Sequence, residues 1–143
     1  NADKKSAYQI VTILIGVNNQ YQGRPMNEYE PVFLSLLKSA IALTGNKPKR
    51  VFIMSIPDWG ITPFASGRDR KVIANEIDNY NVVCENYAKA YGANFINITD
   101  AYRMDGYKTD YLAVDGLHPS KLEYTKWAIK LTQQIVNVFA AGG

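Results

Sequence analysis

The stretch Asp115-Gly116-Leu117-His118-Pro119-Ser120 holds the single histidine of the chain, and its residue types can do acid–base chemistry. An Asp three residues before a His, in a loop punctuated by Gly and Pro, can turn its carboxylate back onto the imidazole. That contact fixes the ring tautomer and stabilises the imidazolium, which is the acid–base half of a serine hydrolase. A second group with chemistry to offer is the amide of Asn18, in Gly16-Val17-Asn18-Asn19-Gln20-Tyr21. A side-chain amide aimed at a developing oxyanion is worth roughly 3 kcal/mol of barrier. The third partner, an activated nucleophile, is not evident in the 143 residues.

These groups need elements to hold them. Residues 10–15, 51–56 and 94–98 are short apolar runs rich in β-branched residues. Runs without polar alternation predict strands buried on both faces, as in a parallel sheet covered by helices. Three amphipathic helices lie between and after them. In the first, Asn27 and Glu30 have capping-box spacing, Tyr29, Phe33, Leu36, Leu37 and Ala40 share a face, and Gly45 is the stop. The second runs from about Asp69 to Tyr91, with Ile73, Ile77, Tyr80, Cys84, Tyr87 and Ala88 on its stripe and Gly92 after it. The third starts from Ser120, again with capping-box spacing to Glu123; Tyr124, Trp127, Ala128, Leu131, Ile135 and Val138 form its apolar face. The order β-α-β-α-β-loop-α predicts right-handed crossovers and a three-layer α/β/α sandwich. No repeat or linker divides it, so residues 1–143 are expected to form one domain. Ligands of such a sheet sit beyond the carboxyl ends of the strands. The loops from Gly16, from Pro57-Asp58-Trp59-Gly60 and to His118 should therefore open on one rim.

Composition narrows the classes. An apolar fraction of 47% with 20% charged residues is that of a globular chain. A net charge of +3 from scattered basic residues gives no footprint for nucleic acid, and Lys47, Lys49 and Arg50 read as a solvated turn before a strand. No apolar run reaches the roughly 18 residues of a membrane helix. Cys84 stands alone, so no internal disulfide forms, and its helical position suits a buried small hydrophobe. One His and no ligand cluster cannot close a zinc shell, so no metal is expected. No glycine-rich phosphate loop appears, which disfavours a nucleotide-binding domain. The Asn97-Ile98-Thr99 sequon reads as accidental within a buried strand.

Gly16-Val17-Asn18-Asn19 followed by Asp115-Gly116-Leu117-His118 resembles two sequence blocks of the SGNH hydrolases, the GDSL-type lipases and esterases, whose patterns are Gly-x-Asn-Asp and Asp-x-x-His. The order of strands and helices matches too, so the resemblance covers essentially the whole chain. It implies a flavodoxin-like parallel sheet and hydrolysis of a small-molecule ester through an acyl-enzyme, with no organic cofactor. It further implies that His118 is the general base, Asp115 its orienting partner, and Asn18, with Gly16 in the same loop, part of the oxyanion hole. Asn19 stands where the family has Asp. In this reading Asn19, Trp59 and Phe64 are candidate substrate-pocket residues, although Trp59 and Phe64 would equally serve as packing for their loop. Tyr102, Tyr107 and Tyr111, close before the His loop, either shape a substrate entrance or cover the sheet end.

The family's nucleophilic Ser, in a Gly-Asp-Ser block after its first strand, has no counterpart here. Ser6 precedes the first strand, Ser35 and Ser39 fall in a helix, Ser66 in a loop, and Ser120 is a cap. Ser55, near a strand end, is the sole substitute and lacks a nucleophile turn. The start at Asn1-Ala2-Asp3, without Met or leader, fits the expectation that two β-α units, about 60 residues, belong upstream. The strand at 10–15 would then expose an edge, which the missing N-terminal segment or a second copy would pair. The other reading is a non-catalytic carbohydrate- or acyl-binding module on the same fold. Compartment stays open, and a secreted or periplasmic address is compatible with a start that lies upstream.

Overall fold

In the computed structural model, residues 8–142 are described. The expectations for Ser6 and for the first residues of the chain lie outside them. Three parallel strands form the sheet: β1 (Val11–Ile13), β2 (Val51–Met54) and β3 (Asn94–Ile96), in the order β1-β2-β3. The register pairs Val11 with Val51 and Phe52 with Asn94.

The period-two geometry of β2 divides the core between two faces. Val51 and Ile53 point into one layer with α2 (Met26–Leu43) and α3 (Arg70–Tyr91), where Tyr29, Phe33, Leu37, Ile73, Ile77 and Cys84 are buried. Phe52 and Met54 point the other way, onto Tyr102 of α4 (Thr99–Asp105) and Trp127 of α5 (Lys121–Ala140). The result is the expected three-layer α/β sandwich. Helices α2 and α3 fall on one face because consecutive right-handed crossovers between neighbouring strands return to the same side.

Several local expectations need correction. The strands are shorter than the apolar runs. Gly16 takes φ 126° and turns the chain out of the sheet, leaving Leu14 and Ile15 exposed. Only β2 is buried along its length, whereas β1 has Thr12 exposed, because β1 pairs with β2 alone among the described residues. The capping box at Asn27 and Glu30 does not form. Helix α2 begins two residues earlier behind Pro25, whose fixed φ of −68° sets the entry, and no side chain caps it. Leu36 is exposed while its stripe neighbours are buried.

Helix α3 follows its reading closely. Asp69 accepts from the Lys71 and Val72 N–H groups, and Gly92 in the left-handed region closes the helix. In α5 the Ser120 hydroxyl caps Leu122 and Glu123, but Glu123 does not reach back. Its carboxylate is fully buried instead, accepting from Trp127 Nε1 at 2.6 Å and Lys126 Nζ at 3.0 Å. Trp127 is buried, whereas Tyr124 and Ala128 are exposed and Leu131, Ile135 and Val138 only partly covered. Two short helices were not anticipated, α1 (Val17–Tyr21) and α4. No helix among the described residues is long and apolar enough to cross a membrane.

Candidate active site

The Asp115–His118 loop is the tip of a small antiparallel excursion. Leu112 bridges Pro119, and the Ala113 N–H donates to the His118 carbonyl at 2.8 Å. Ser120 locks the base: its N–H donates to the Tyr111 carbonyl and its hydroxyl to the Asp110 carbonyl. Gly116, at φ 67°, supplies the left-handed turn that brings the following N–H groups back toward Asp115. Asp115 Oδ1 then accepts from the Leu117 and His118 N–H groups at 3.0 and 2.9 Å, and Oδ2 lies 2.6 Å from His118 Nδ1. The imidazole contact first, and the two N–H groups with it, hold the Asp115 carboxyl down at about 2. An ionised carboxylate only accepts, so Nδ1 carries the proton and Nε2 is left as the basic nitrogen.

At the other wall, Gly16 heads α1. A side chain there would meet the Tyr29 hydroxyl at 2.9 Å, and the positive φ excludes one independently. The Tyr29 hydroxyl donates to the Ile15 carbonyl, so the strand end, the glycine and α2 are pinned together. Gly16 is buried, and its carbonyl accepts from the Gln20 N–H at 3.0 Å.

Between these walls lies a cavity of about 460 Å³. It brings together Asn18 of α1, Trp59 and Phe64 of the segment after β2, and His118 of the loop before α5. Asp115 stands behind His118, outside the lining. Asn19 is not brought to the cavity. On a helix it points about 100° away from Asn18, and its carbonyl closes the turn by accepting from Arg24 N–H. Trp59 is buried and Phe64 half-exposed; together with Tyr21 they make an aromatic wall, with ring centroids 5.2 to 6.2 Å apart. Tyr102, Tyr124 and Trp127 line the opposite side. Of the three clustered tyrosines, only Tyr102 reaches the cavity, and burial pushes its hydroxyl well above the ordinary tyrosine value.

Sequence reasoning missed Tyr21, Tyr124 and Trp127 as lining residues. Tyr21 could have been found from its spacing, since it follows Asn18 by three and shares its helical face. The aromatic pair on α5 reads as part of an apolar helix face, and nothing in the periodicity separates a core face from one that also borders a cavity.

No serine lines the cavity among the described residues. Ser55 is buried away from solvent, where its hydroxyl oxygen accepts from the Ile98 and Thr99 N–H groups. It ties β2 to the start of α4 and does not line the cavity. In the sequon, Asn97 is exposed rather than within a strand, and its amide donates to Asp100. Cys84 is buried against the Tyr29 hydroxyl at 3.1 Å, and burial raises its thiol to about 11. No group of three or more His, Cys, Asp or Glu side chains is arranged to hold a metal ion among the described residues.

A sequence profile of the GDSL-like Lipase/Acylhydrolase family matches residues 1–125. No curated protein matches the chain. Among solved structures, a mutant of Axe2, an acetyl-xylooligosaccharide esterase from Geobacillus Stearmophilus, superposes with a TM-score of 0.65 at 23% sequence identity. The match covers 89% of this chain and 59% of that one, so the chain spans less than two thirds of its neighbour's length.

Proposed function

Given that the chain belongs to the GDSL-like lipase/acylhydrolase family, we propose that it forms the acid–base and oxyanion half of a serine ester hydrolase. The observation that carries this reading is the convergence of Asn18 and an Asp115-braced His118 on one cavity at the carboxyl ends of the strands. The nucleophilic Ser belongs to a segment outside these residues. Its hydroxyl proton passes to His118 Nε2 as Oγ attacks the ester carbonyl, and Asp115 stabilises the imidazolium through Nδ1–H. The amide of Asn18, with backbone N–H groups, donates to the oxyanion. Collapse of the tetrahedral intermediate expels the alcohol, which takes its proton from Nε2, and water then hydrolyses the acyl-enzyme by the same relay.

A cavity of about 460 Å³, open and walled by aromatic rings, suits a short acyl group on a larger alcohol. The activity named for the structural neighbour makes an acetylated oligosaccharide the first substrate to try. The edge of β1 that is unpaired among the described residues, beside Leu14 and Ile15, is the proposed docking line for the serine-bearing segment.

An aromatic-walled cavity with no serine in its lining among the described residues also fits one other reading, a carbohydrate- or acyl-binding module that turns nothing over. The full-length protein decides between them. Under the hydrolase reading it releases acetate from acetylated xylo-oligosaccharides or p-nitrophenyl acetate and takes up a fluorophosphonate on serine, and His118→Ala abolishes both. Saturable binding of the oligosaccharide with neither turnover nor labelling would establish the module instead.

A further inference from the structure

Helix α1 carries Asn18 and Tyr21 into the cavity, yet it has five residues and no side-chain cap. A helix that short does not hold its own geometry, since it contains little more than the costly nucleus. Its orientation must come from tertiary anchors on the face away from the cavity. Gln20 is on that face and is buried. Its Oε1 accepts from Trp59 Nε1 at 2.6 Å, and its Nε2 donates to Glu76 Oε2 on α3 at 2.7 Å. Both ends of the amide are therefore used, one on the cavity wall and one on the main scaffold.

We propose that Gln20 is the positioning residue of this site: the Trp59–Gln20–Glu76 chain sets the aromatic wall and the oxyanion donor Asn18 in one register against α3. The inference rests on the ester-hydrolase reading above for its catalytic consequence, and on the hydrogen bonds alone for its structural one. Only a side chain with an acceptor toward the indole and a donor toward the carboxylate satisfies both neighbours. An apolar residue at 20 would leave the Trp59 indole N–H, in a buried site, without a partner. A carboxylate there would keep the indole bond and face Glu76 at hydrogen-bonding distance, like charge to like.

That chemistry gives a test by role exchange. In Gln20→Glu the second bond is lost. In the double variant Gln20→Glu/Glu76→Gln both bonds return, because the new glutamine donates to the new carboxylate. Two readouts are taken together. The indole Nε1–H resonances of the 15N-labelled full-length protein report the wall, and Trp127, bonded to Glu123 and packed with Phe52 and Met54 on the other face of the sheet, is the internal reference. The Asn18 backbone amide resonance reports α1. Hydrolysis of an acetyl ester by the full-length protein reports the consequence.

The expected result is that Q20E moves the Trp59 and Asn18 signals but not that of Trp127. It also lowers kcat about 10-fold or more with KM within about twofold, short of the roughly 10²–10³-fold seen on deleting an oxyanion donor outright. The double variant restores signals and kcat. If Q20E leaves the Asn18 signal and kcat at parent values, or if the exchanged pair fails to restore them, Gln20 does not position the site. If the spectra respond and recover as described while the parent protein hydrolyses no ester, the positioning of the cavity stands and the hydrolase reading falls.

Discussion

At the scale of single residues, the Asp115 carboxylate accepts three hydrogen bonds while remaining exposed, and its charge is held by contacts rather than by burial. Its pKa falls from 3.8 to about 2 in the fold. A depressed carboxyl contributes stability that is complete above its unfolded value and is lost as pH falls through the folded one. The window for this group is therefore about pH 4 down to 2, and loss of activity in milder acid does not originate at Asp115. Titration of the Asp115 carboxyl carbon by NMR checks this. In His118→Ala its midpoint should climb toward 3.8 and stop short of it, because two backbone N–H donors remain; an unchanged midpoint would show that the imidazole contact is not made in solution. Asn18 acts at the same scale. If its amide meets the oxyanion, Asn18→Ala in the full-length protein lowers kcat about 10²–10³-fold with little change in KM. A change confined to KM would instead make Asn18 a ground-state binding group.

Elements explain why these residues stay where they are. Helix α3 is the scaffold against which the site is built. It packs Ile73, Ile77, Tyr80, Cys84 and Ala88 into the core, presents Glu76 to Gln20, and through Asp78 and the Ala74 carbonyl holds Arg103. Arg103 in turn pairs with buried Asp58, whose second oxygen accepts from the Gly60 N–H, so the loop carrying Trp59 is fastened at its root. Ile77 is completely buried at the centre of this layer. Ile77→Ala is expected to cost about 2–5 kcal/mol of unfolding free energy, measured by urea denaturation. A cost below about 1 kcal/mol would mean that the α3 layer is less well packed than described. Asp58→Ala belongs here too. It leaves a partly exposed Arg103 with Asp78 still present, so its effect should be about 2 kcal/mol, below the roughly 3–5 kcal/mol of a fully buried pair.

At the scale of the molecule, the described residues leave the β1 edge of the sheet unpaired. Strand β1 has β2 on one side only among the described residues, and Leu14 and Ile15 are exposed at its end. Helix α5 exposes Leu122, Ile129 and Val136 while burying only Trp127 and Glu123. An open strand edge beside apolar surface invites strand addition. The chain by itself is therefore expected to self-associate, seen as concentration-dependent mass in light scattering, and Thr12→Lys on the exposed position of β1 should suppress this. A monodisperse monomer at all concentrations would argue that the edge is already protected.

Much of this arrangement is legible in the chain alone. The burial of β2 on both faces, the stripe and both ends of α3, and the Ser120 cap follow from local chemistry, because branched apolar runs, helical spacing and cap hydrogen bonds act over a few residues. Asp115 and His118 are near neighbours in sequence, and so their contact is implied by spacing. Other features are set by partners far along the chain. Asn18 meets His118 in one cavity only because parallel strands bring their carboxyl ends to one rim. Gln20 reads as an ordinary polar residue until Trp59 and Glu76 close on it from 39 and 56 residues away. Glu123 keeps its capping-box spacing and is still drawn inward by Trp127 and Lys126, where two hydrogen-bonding groups outweigh one local N–H. Hydrogen bonds between distant residues leave no periodicity, and only the folded chain decides which side chains make them.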